Sequence, residues 1–361
     1  MTTQANDGKV LAMRMWRSML ATQELITCYL GVRLGCYDAL AEHGPATAGE
    51  LAERVGMAPR YAVEWLEQQA VIGILEVADA AVPADERCYA LPAAHAEVLT
   101  VSDSPQSMAA LALLPFGGVA AALPSLLEAF RTGGGVPDSV YGADWRAGHG
   151  SANRAMFLHE LPGWIEAFAP DVHAALSTPG ATVADVACGS GWASIALASA
   201  YPGLRVDGYD LDAEVLADAE RETGARGLAD RVRFFAVDAA KAEATGDYDL
   251  VCLFDALHEI SHPVRVLRTC RELRAATGTV LVLDAKVAPE FTAPADEVER
   301  FQYGTSLLHC LPACLAEPGA TGTGTVMRPG AVREFATAAG YAATVLLPIA
   351  DRFHRLYRLV G

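Results

Sequence analysis

Three aspartates stand where apolar runs end. Val183-Ala-Asp185-Val-Ala-Cys-Gly189-Ser-Gly191 closes the first run, Tyr209-Asp210-Leu211-Asp212 the second, and Ala236-Val237-Asp238-Ala239 the third. A Gly-x-Gly turn lets a ligand approach the backbone, and a helix opening behind it offers unpaired N–H groups. Asp185 lies just before that turn, where it repels a pyrophosphate and attracts an ammonium or a sulfonium. Asp210 follows Gly189 by about 20 residues, the spacing of a carboxylate that accepts both ribose hydroxyls. Asp238 suits an exocyclic amine, with the Ala239 N–H donating to a ring nitrogen and Leu211 packing on the purine. The set describes a site for a cationic nucleoside. A dinucleotide site is the competing reading; it is disfavoured by Ser194, where a third glycine would stand, and by Asp185.

Such a row needs a parallel sheet to hold it. From Thr182 onward, apolar runs of strand length alternate with helical segments. We expect strands at 182–187, 205–209, 232–237, 248–254, 278–284, 342–348 and 353–359. Runs such as Asp249–Phe254 and Thr279–Asp284 suit strands covered on both faces. No helix fits between the last two, so they form a terminal hairpin. The fold class is α/β: a Rossmann-like, doubly wound, seven-stranded sheet with an antiparallel terminal hairpin, preceded by a mainly α, winged-helix-like domain. All three aspartates then reach the carboxyl edge, where such sheets bind ligands.

The N-terminal part reads as a helix over 9–40, a capping box at Thr47-Ala-Gly-Glu50, and a turn at Gly56-Met57-Ala58. A second helix opens at Pro59, and short strands at 75–78 and 87–91 form a wing. A DNA reader needs basic residues on that second helix and wing. Here Arg60 is set against Glu64 and Glu67, and Arg87 against Asp79, Asp85 and Glu86. Packing or dimerisation is the better reading. The whole chain of 361 residues carries a formal charge of −17, which disfavours nucleic acid and anionic membranes as partners. Apolar residues at 52% and charged ones at 20% exclude a disordered chain. The eight cysteines show no C-x-x-C pattern, so we expect buried free thiols and a cytoplasmic setting. Residues 104–127 lack charge, but Pro115, Gly117, Gly118 and Pro124 interrupt them; two short buried helices are expected rather than a membrane span. A glycine-rich connector is expected at 131–150, helices at 152–168 and 171–177, a mobile loop at 317–329, and a helix from Pro329 to Ala339.

Residues 180–285 resemble the class I S-adenosylmethionine-dependent methyltransferases. Gly189 and Gly191 match the first family motif, Asp185 its acidic residue, Asp210 the ribose acid and Asp238 the adenine acid; Ala239 and Phe254 complete the cofactor-facing set. With its winged-helix-like start, the chain is similar to small-molecule O-methyltransferases that form homodimers through the N-terminal domain. Asn153-Arg-Ala-Met156-Phe157 resembles the helix that lines the cavity in those enzymes. Phe254-Asp255-Ala-Leu257-His258-Glu259-Ile260 matches their Leu-His-Asp-Trp segment, whose histidine is the general base. That implies His258 as base with Glu259 beside it, although Ile260 replaces the tryptophan and the acid is one methylene longer. His262, before Pro263, is expected to face solvent.

The resemblance implies S-adenosylmethionine as cofactor and a small-molecule acceptor methylated at a hydroxyl oxygen. Met156, Phe157, Trp164 and His309 are candidates for the acceptor pocket. A divalent metal held by His258, His309 and Glu259 is left open, with no metal ligand assigned. Two alternatives stand: carbon methylation of a keto acid with metal assistance, and a non-catalytic, ligand-sensing winged-helix regulator. The expected domains are 1–102 for dimerisation, 103–178 as helical connector and pocket region, and 179–361 for the cofactor.

Overall fold

The computed structural model describes residues 2–238 and 247–361, with side chains from Gly8 onward. The expected cofactor contact at Ala239 lies outside the described residues. The chain divides into two compact units, residues 1–120 with 143–152, and residues 121–142 with 153–361. The connector expected over 103–178 is therefore shared between them rather than standing alone.

In the first unit, the helix expected at 9–40 is two helices, Thr2–Arg33 and Cys36–His43, parted at Gly35 in the left-handed region. The capping box forms: Thr47 accepts from the Glu50 N–H, and the Glu50 carboxylate accepts from the Thr47 N–H at 2.7 Å. The helices Ala48–Val55 and Pro59–Val71 follow, with Pro59 in the first turn. The wing is shorter than its sequence suggested. Strands β1 (Glu76–Val77) and β2 (Tyr89–Ala90) pair antiparallel, and Ala46 bridges to Tyr89. Cys36, Tyr37, Leu40, Leu51, Trp65, Leu66, Leu75 and Tyr89 form the core of this unit. Arg60 pairs with Glu64, and Arg87 with Glu67.

The two short buried helices expected over 104–127 are instead one helical run, Ala109–Thr132, and only 22% of its most apolar window is buried. By length and composition that run is long and apolar enough to cross a membrane. A π-turn at Leu114–Val119 carries Pro115 without ending the helix, because the widened turn absorbs the missing N–H donor. Within this unit, Gly117 and Gly118 lie directly under Asp144 and Trp145 of the helix Ala143–Ser151.

In the second unit the described residues build a seven-stranded sheet ordered β5-β4-β3-β6-β7-β9-β8. The strands are β3 (Thr182–Val186), β4 (Arg205–Asp210), β5 (Val232–Ala236), β6 (Tyr248–Phe254), β7 (Arg274–Ala285), β8 (Ala343–Leu347) and β9 (His354–Val360). β3 to β7 pair in parallel; β9 runs antiparallel to both β7 and β8, the expected hairpin. β7 starts four residues earlier than its apolar run, at an irregularity opposite Tyr248–Leu250.

Alternate residues feed two cores, as a period of two requires. Val183, Leu250, Cys252, Leu281 and Leu283 pack with the helices Leu161–Phe168 and Trp192–Ala200. Ala184, Val251, Leu253, Val280 and Val282 pack with Pro263–Leu273 and Pro329–Ala338. The chain winds outward from β3 through β4 to β5, then returns to β6 on the other side. Open α/β sheets bind ligands at such a reversal, which here falls at the carboxyl ends of β3 and β6. All eight cysteines are free, as expected, but Cys28, Cys88 and Cys188 are only half-buried.

Candidate active site

The turn after β3 is shaped by three left-handed residues: Ala187 at φ 54°, Gly189 at 51° and Gly191 at 73°. Gly191 is required on two counts. Its φ disfavours any side chain, and a Cβ there would lie 2.7 Å from Phe234 Cζ. The helix Trp192–Ala200 opens immediately behind it.

Asp210, at the end of β4, ties this turn down. Its Oδ2 accepts from the Gly189 N–H at 2.9 Å, and its Oδ1 from the Asp212 N–H at 3.0 Å. Burial raises the Asp210 pKa, and the backbone donors oppose that only in part. Asp185 sits deeper, 1% exposed, with Ser194 Oγ donating to its Oδ2 at 2.6 Å. Ser194, singled out as a missing glycine, is thus the hydrogen-bond donor to the buried acid. Burial pushes the Asp185 carboxyl up to about 7; Ser194 pulls it back, and the nearby Asp210 charge adds to the rise. Leu211 is 66% exposed beyond β4, and Asp238 is half-buried beyond β5. Arg154 stacks its guanidinium 4.0 Å over the Trp192 ring, a cation–π contact that the sequence did not announce.

The loop after β6 begins at Asp255, a second non-glycine residue in the left-handed region, at φ 53°. Asn153 donates its amide to the Asp255 carboxylate, and His354 Nε2 lies 3.7 Å from the other oxygen. His354 is in turn held by Asp351 at 3.0 Å. Three residues on, His258 is buried at 3% exposure. Asp284, near the end of β7, grips it twice: Oδ2 accepts from its backbone N–H at 3.2 Å, and Oδ1 lies 2.9 Å from Nδ1. An N–H on Nδ1 satisfies that contact and directs Nε2 toward Glu259 Oε1, 3.5 Å away. Burial by itself pulls the His258 pKa down. The Asp284 charge and hydrogen bonds to Asp284, Cys310 and Glu259 outweigh it, leaving the imidazole well above its ordinary value.

His309, 1% exposed, is held the same way. Its Nε2 lies 2.6 Å from Asp138 Oδ1, its Nδ1 3.3 Å from Glu259 Oε1, and Tyr141 packs edge-on at 4.8 Å. So the structure brings His258, Glu259 and His309 together, with Cys310 beside them. Phe157 stacks on Phe254 with ring centroids 6.2 Å apart. Phe157 and Trp164 belong to the packed core on that face of the sheet, and Met156 packs against it. His262 is 38% exposed and lies 3.7 Å from Glu317. The loop expected to be mobile over 317–329 is pinned to the His258 segment, since Gly324 N–H donates to His258 O and Thr321 N–H to Ser261 O, both at 2.9 Å.

Sequence reading missed Asp284, Asp138 and Cys310. Asp284 closes an apolar run just as the three chosen aspartates do, and that signal was available. Nothing local marks Asp138 as a partner of a histidine 171 residues away.

Comparison with known proteins agrees with this architecture. Residues 184–280 match the methyltransferase domain family, and residues 22–101 match the Rv2258c-like winged HTH domain. A curated relative, the ubiquinone biosynthesis O-methyltransferase of Paraburkholderia xenovorans, is 33% identical over 127 residues, 34% of this chain and 51% of that protein. The chain thus spans about half the length of the curated relatives it matches. The mitomycin 7-O-methyltransferase MmcR superposes with a TM-score of 0.71 at 21% identity, covering 98% of this chain and 99% of that one. Human N-acetylserotonin methyltransferase, solved with S-adenosylmethionine, gives 0.70 at 17% identity over 97% and 98% of the two chains. The chain shares the fold of these methyltransferase structures, and its N-terminal part matches a winged HTH domain.

Proposed function

We propose that this chain transfers a methyl group from S-adenosylmethionine to the hydroxyl oxygen of a small molecule, a reading supported by its match to a methyltransferase domain preceded by a winged HTH domain. One observation carries the reading: Asp185 and Asp210 lie at the carboxyl ends of β3 and β4 beside a left-handed glycine turn, and Asp238 follows the end of the adjacent parallel strand β5. In this reading the sulfonium lies over Gly189–Gly191, its ammonium is drawn to Asp185, Asp210 accepts from the ribose and Asp238 from the adenine. Phe254 and Leu211 flank the nucleoside. The fully buried Asp185 retains a charge best when a cation is near, since a neighbouring positive charge offsets its desolvation.

On the acceptor side, His258 takes the proton. Asp284 fixes its ring through Nδ1; the flanking carboxylates favour the protonated imidazole, so Nε2 is the acceptor atom only in the neutral form. The substrate hydroxyl must lie in line with the methyl–sulfur bond, and its deprotonation supplies the nucleophile. Glu259 and His309 continue the polar wall, while Met156, Phe157 and Trp164 supply apolar surface. A cytoplasmic homodimer associated through the N-terminal domain, without nucleic acid or membrane partners, completes the proposal. Arg60 and Arg87, the cations of the second helix and wing, are each neutralised by a glutamate.

The test is calorimetry with S-adenosylmethionine and S-adenosylhomocysteine. Both are expected to bind, and Asp210→Ala should weaken binding by about tenfold or more, the loss of a charged hydrogen-bond acceptor. A chain that ignores both nucleosides at millimolar concentration would remove the proposal.

A further inference from the structure

His258, Glu259, His309 and Cys310 share an arrangement that a proton relay does not need. Each imidazole has one nitrogen held by its own outer carboxylate: His258 Nδ1 by Asp284 at 2.9 Å, His309 Nε2 by Asp138 at 2.6 Å. Each turns its second nitrogen toward the same oxygen, Glu259 Oε1, at 3.5 and 3.3 Å. Cys310 Sγ lies 3.6 Å from His309 Nδ1. Ligand atoms of His258, Glu259 and Cys310 all fall within 4.8 Å of one another. Metal-binding histidines almost always donate their far N–H to a carboxylate or carbonyl, which fixes the ring and raises the basicity of the ligating nitrogen.

The spacings also fit. Around a tetrahedral zinc ion, bond lengths of about 2.1 Å to nitrogen or oxygen and about 2.3 Å to sulfur place neighbouring N and O atoms about 3.4 Å apart, and N and S about 3.6 Å apart. Glu259 Oε1 meets these edges with His258 Nε2 at 3.5 Å and with His309 Nδ1 at 3.3 Å, and Cys310 Sγ meets the nitrogen–sulfur edge with His309 Nδ1 at 3.6 Å.

We propose that this cluster is a binding site for one divalent transition-metal ion, with His258 Nε2, the Glu259 carboxylate and Cys310 Sγ as ligands and His309 Nδ1 as the adjacent fourth donor. The mixed nitrogen, oxygen and sulfur set favours zinc, iron or cobalt over magnesium or calcium, which prefer oxygen alone. Binding requires Cys310 to lose its proton, which goes to solvent as the ion enters. The base role proposed above for His258 Nε2 belongs to the metal-free chain; with the ion in place that atom is a ligand. A bound ion would supply Lewis acidity that lowers the pKa of an acceptor oxygen. The cofactor half of the proposed function is untouched, and metal binding is measurable without it.

The experiment uses the full chain, stripped with chelator, freed of any affinity tag, and titrated with Zn²⁺ and with Co²⁺. One equivalent should bind, and cobalt should give a thiolate charge-transfer band in the near ultraviolet. Cys310→Ser should abolish that band, and Glu259→Gln should weaken both metals. Asp138→Asn is the fold-safe variant, because Asp138 is 68% exposed. It should lower affinity by roughly 10- to 100-fold, the usual cost of losing a carboxylate behind a ligating histidine. Binding that is substoichiometric, that lacks the cobalt–thiolate band, or that is unchanged in Cys310→Ser and Asp138→Asn overturns the site. Because S-adenosylhomocysteine binding is followed separately on the stripped protein, failure of the metal site and failure of the methyl-transfer reading give different results.

Discussion

Replacing Asp185 with asparagine should make the protein's stability less sensitive to pH. Asp185 is 1% exposed, and its carboxyl is raised from 3.8 to about 7, chiefly by burial. A folded-state pKa above the unfolded value means that the folded chain holds the extra proton between about pH 4 and 7. Stability contributed by that proton is present at low pH and lost as the pH rises through this window. At pH 8 the ionised form costs about 4 kcal/mol relative to the neutral one, and at pH 5 about 1–2 kcal/mol. The asparagine side chain would carry no such cost, and its carbonyl oxygen can still accept from Ser194 Oγ. Its amide group brings two donors into a buried place, a penalty of about 1–3 kcal/mol that is the same at both pH values. The variant should therefore gain about 3 kcal/mol relative to wild type between pH 5 and pH 8. Urea unfolding of both proteins at the two pH values measures this directly. Cofactor binding should run the other way: a cation favours the ionised carboxylate, so wild-type affinity for S-adenosylmethionine rises from pH 6 to 8, while the variant binds weakly throughout. Parallel stability curves for the two proteins would refute the reasoning, because Asp185 would then be ionised at no cost.

Other substitutions probe the remaining links. His258→Ala should lower turnover by at least about 100-fold, whether the imidazole takes a proton or holds an ion, and leave S-adenosylhomocysteine affinity within about twofold. Near-normal turnover would leave catalysis to proximity alone. Gly191→Ala forces a side chain to φ 73° and against Phe234, so urea unfolding should show a loss of about 2–4 kcal/mol together with weaker cofactor binding. Thr47→Ala removes one half of the capping box and should cost about 1 kcal/mol in thermal unfolding, with no change in cofactor affinity.

Much of the fold was legible because it is written in contiguous residues. β6 lies within the bounds that its apolar run set, and the other strands of the large sheet differ by a few residues at their ends. Thr47, Gly56 and Pro59 mark their turns and caps through their own backbone chemistry. The aspartates near strand ends were likewise visible, since each interrupts the apolar run of a strand buried on both faces.

The sequence determined which segments form strands and helices, and which carboxylates end the strands, because periodicity and turn chemistry act over a few neighbouring residues. Only the tertiary structure decided the partners. Asp284 reaches His258 because β6 and β7 are neighbours in the sheet, and Asp138 reaches His309 across 171 residues of chain. It also decided that 109–132 is one helical run, through a π-turn that Pro115 alone would not suggest. Side-chain convergence depends on the order in which strands and helices are laid side by side, and a linear pattern carries that order only indirectly.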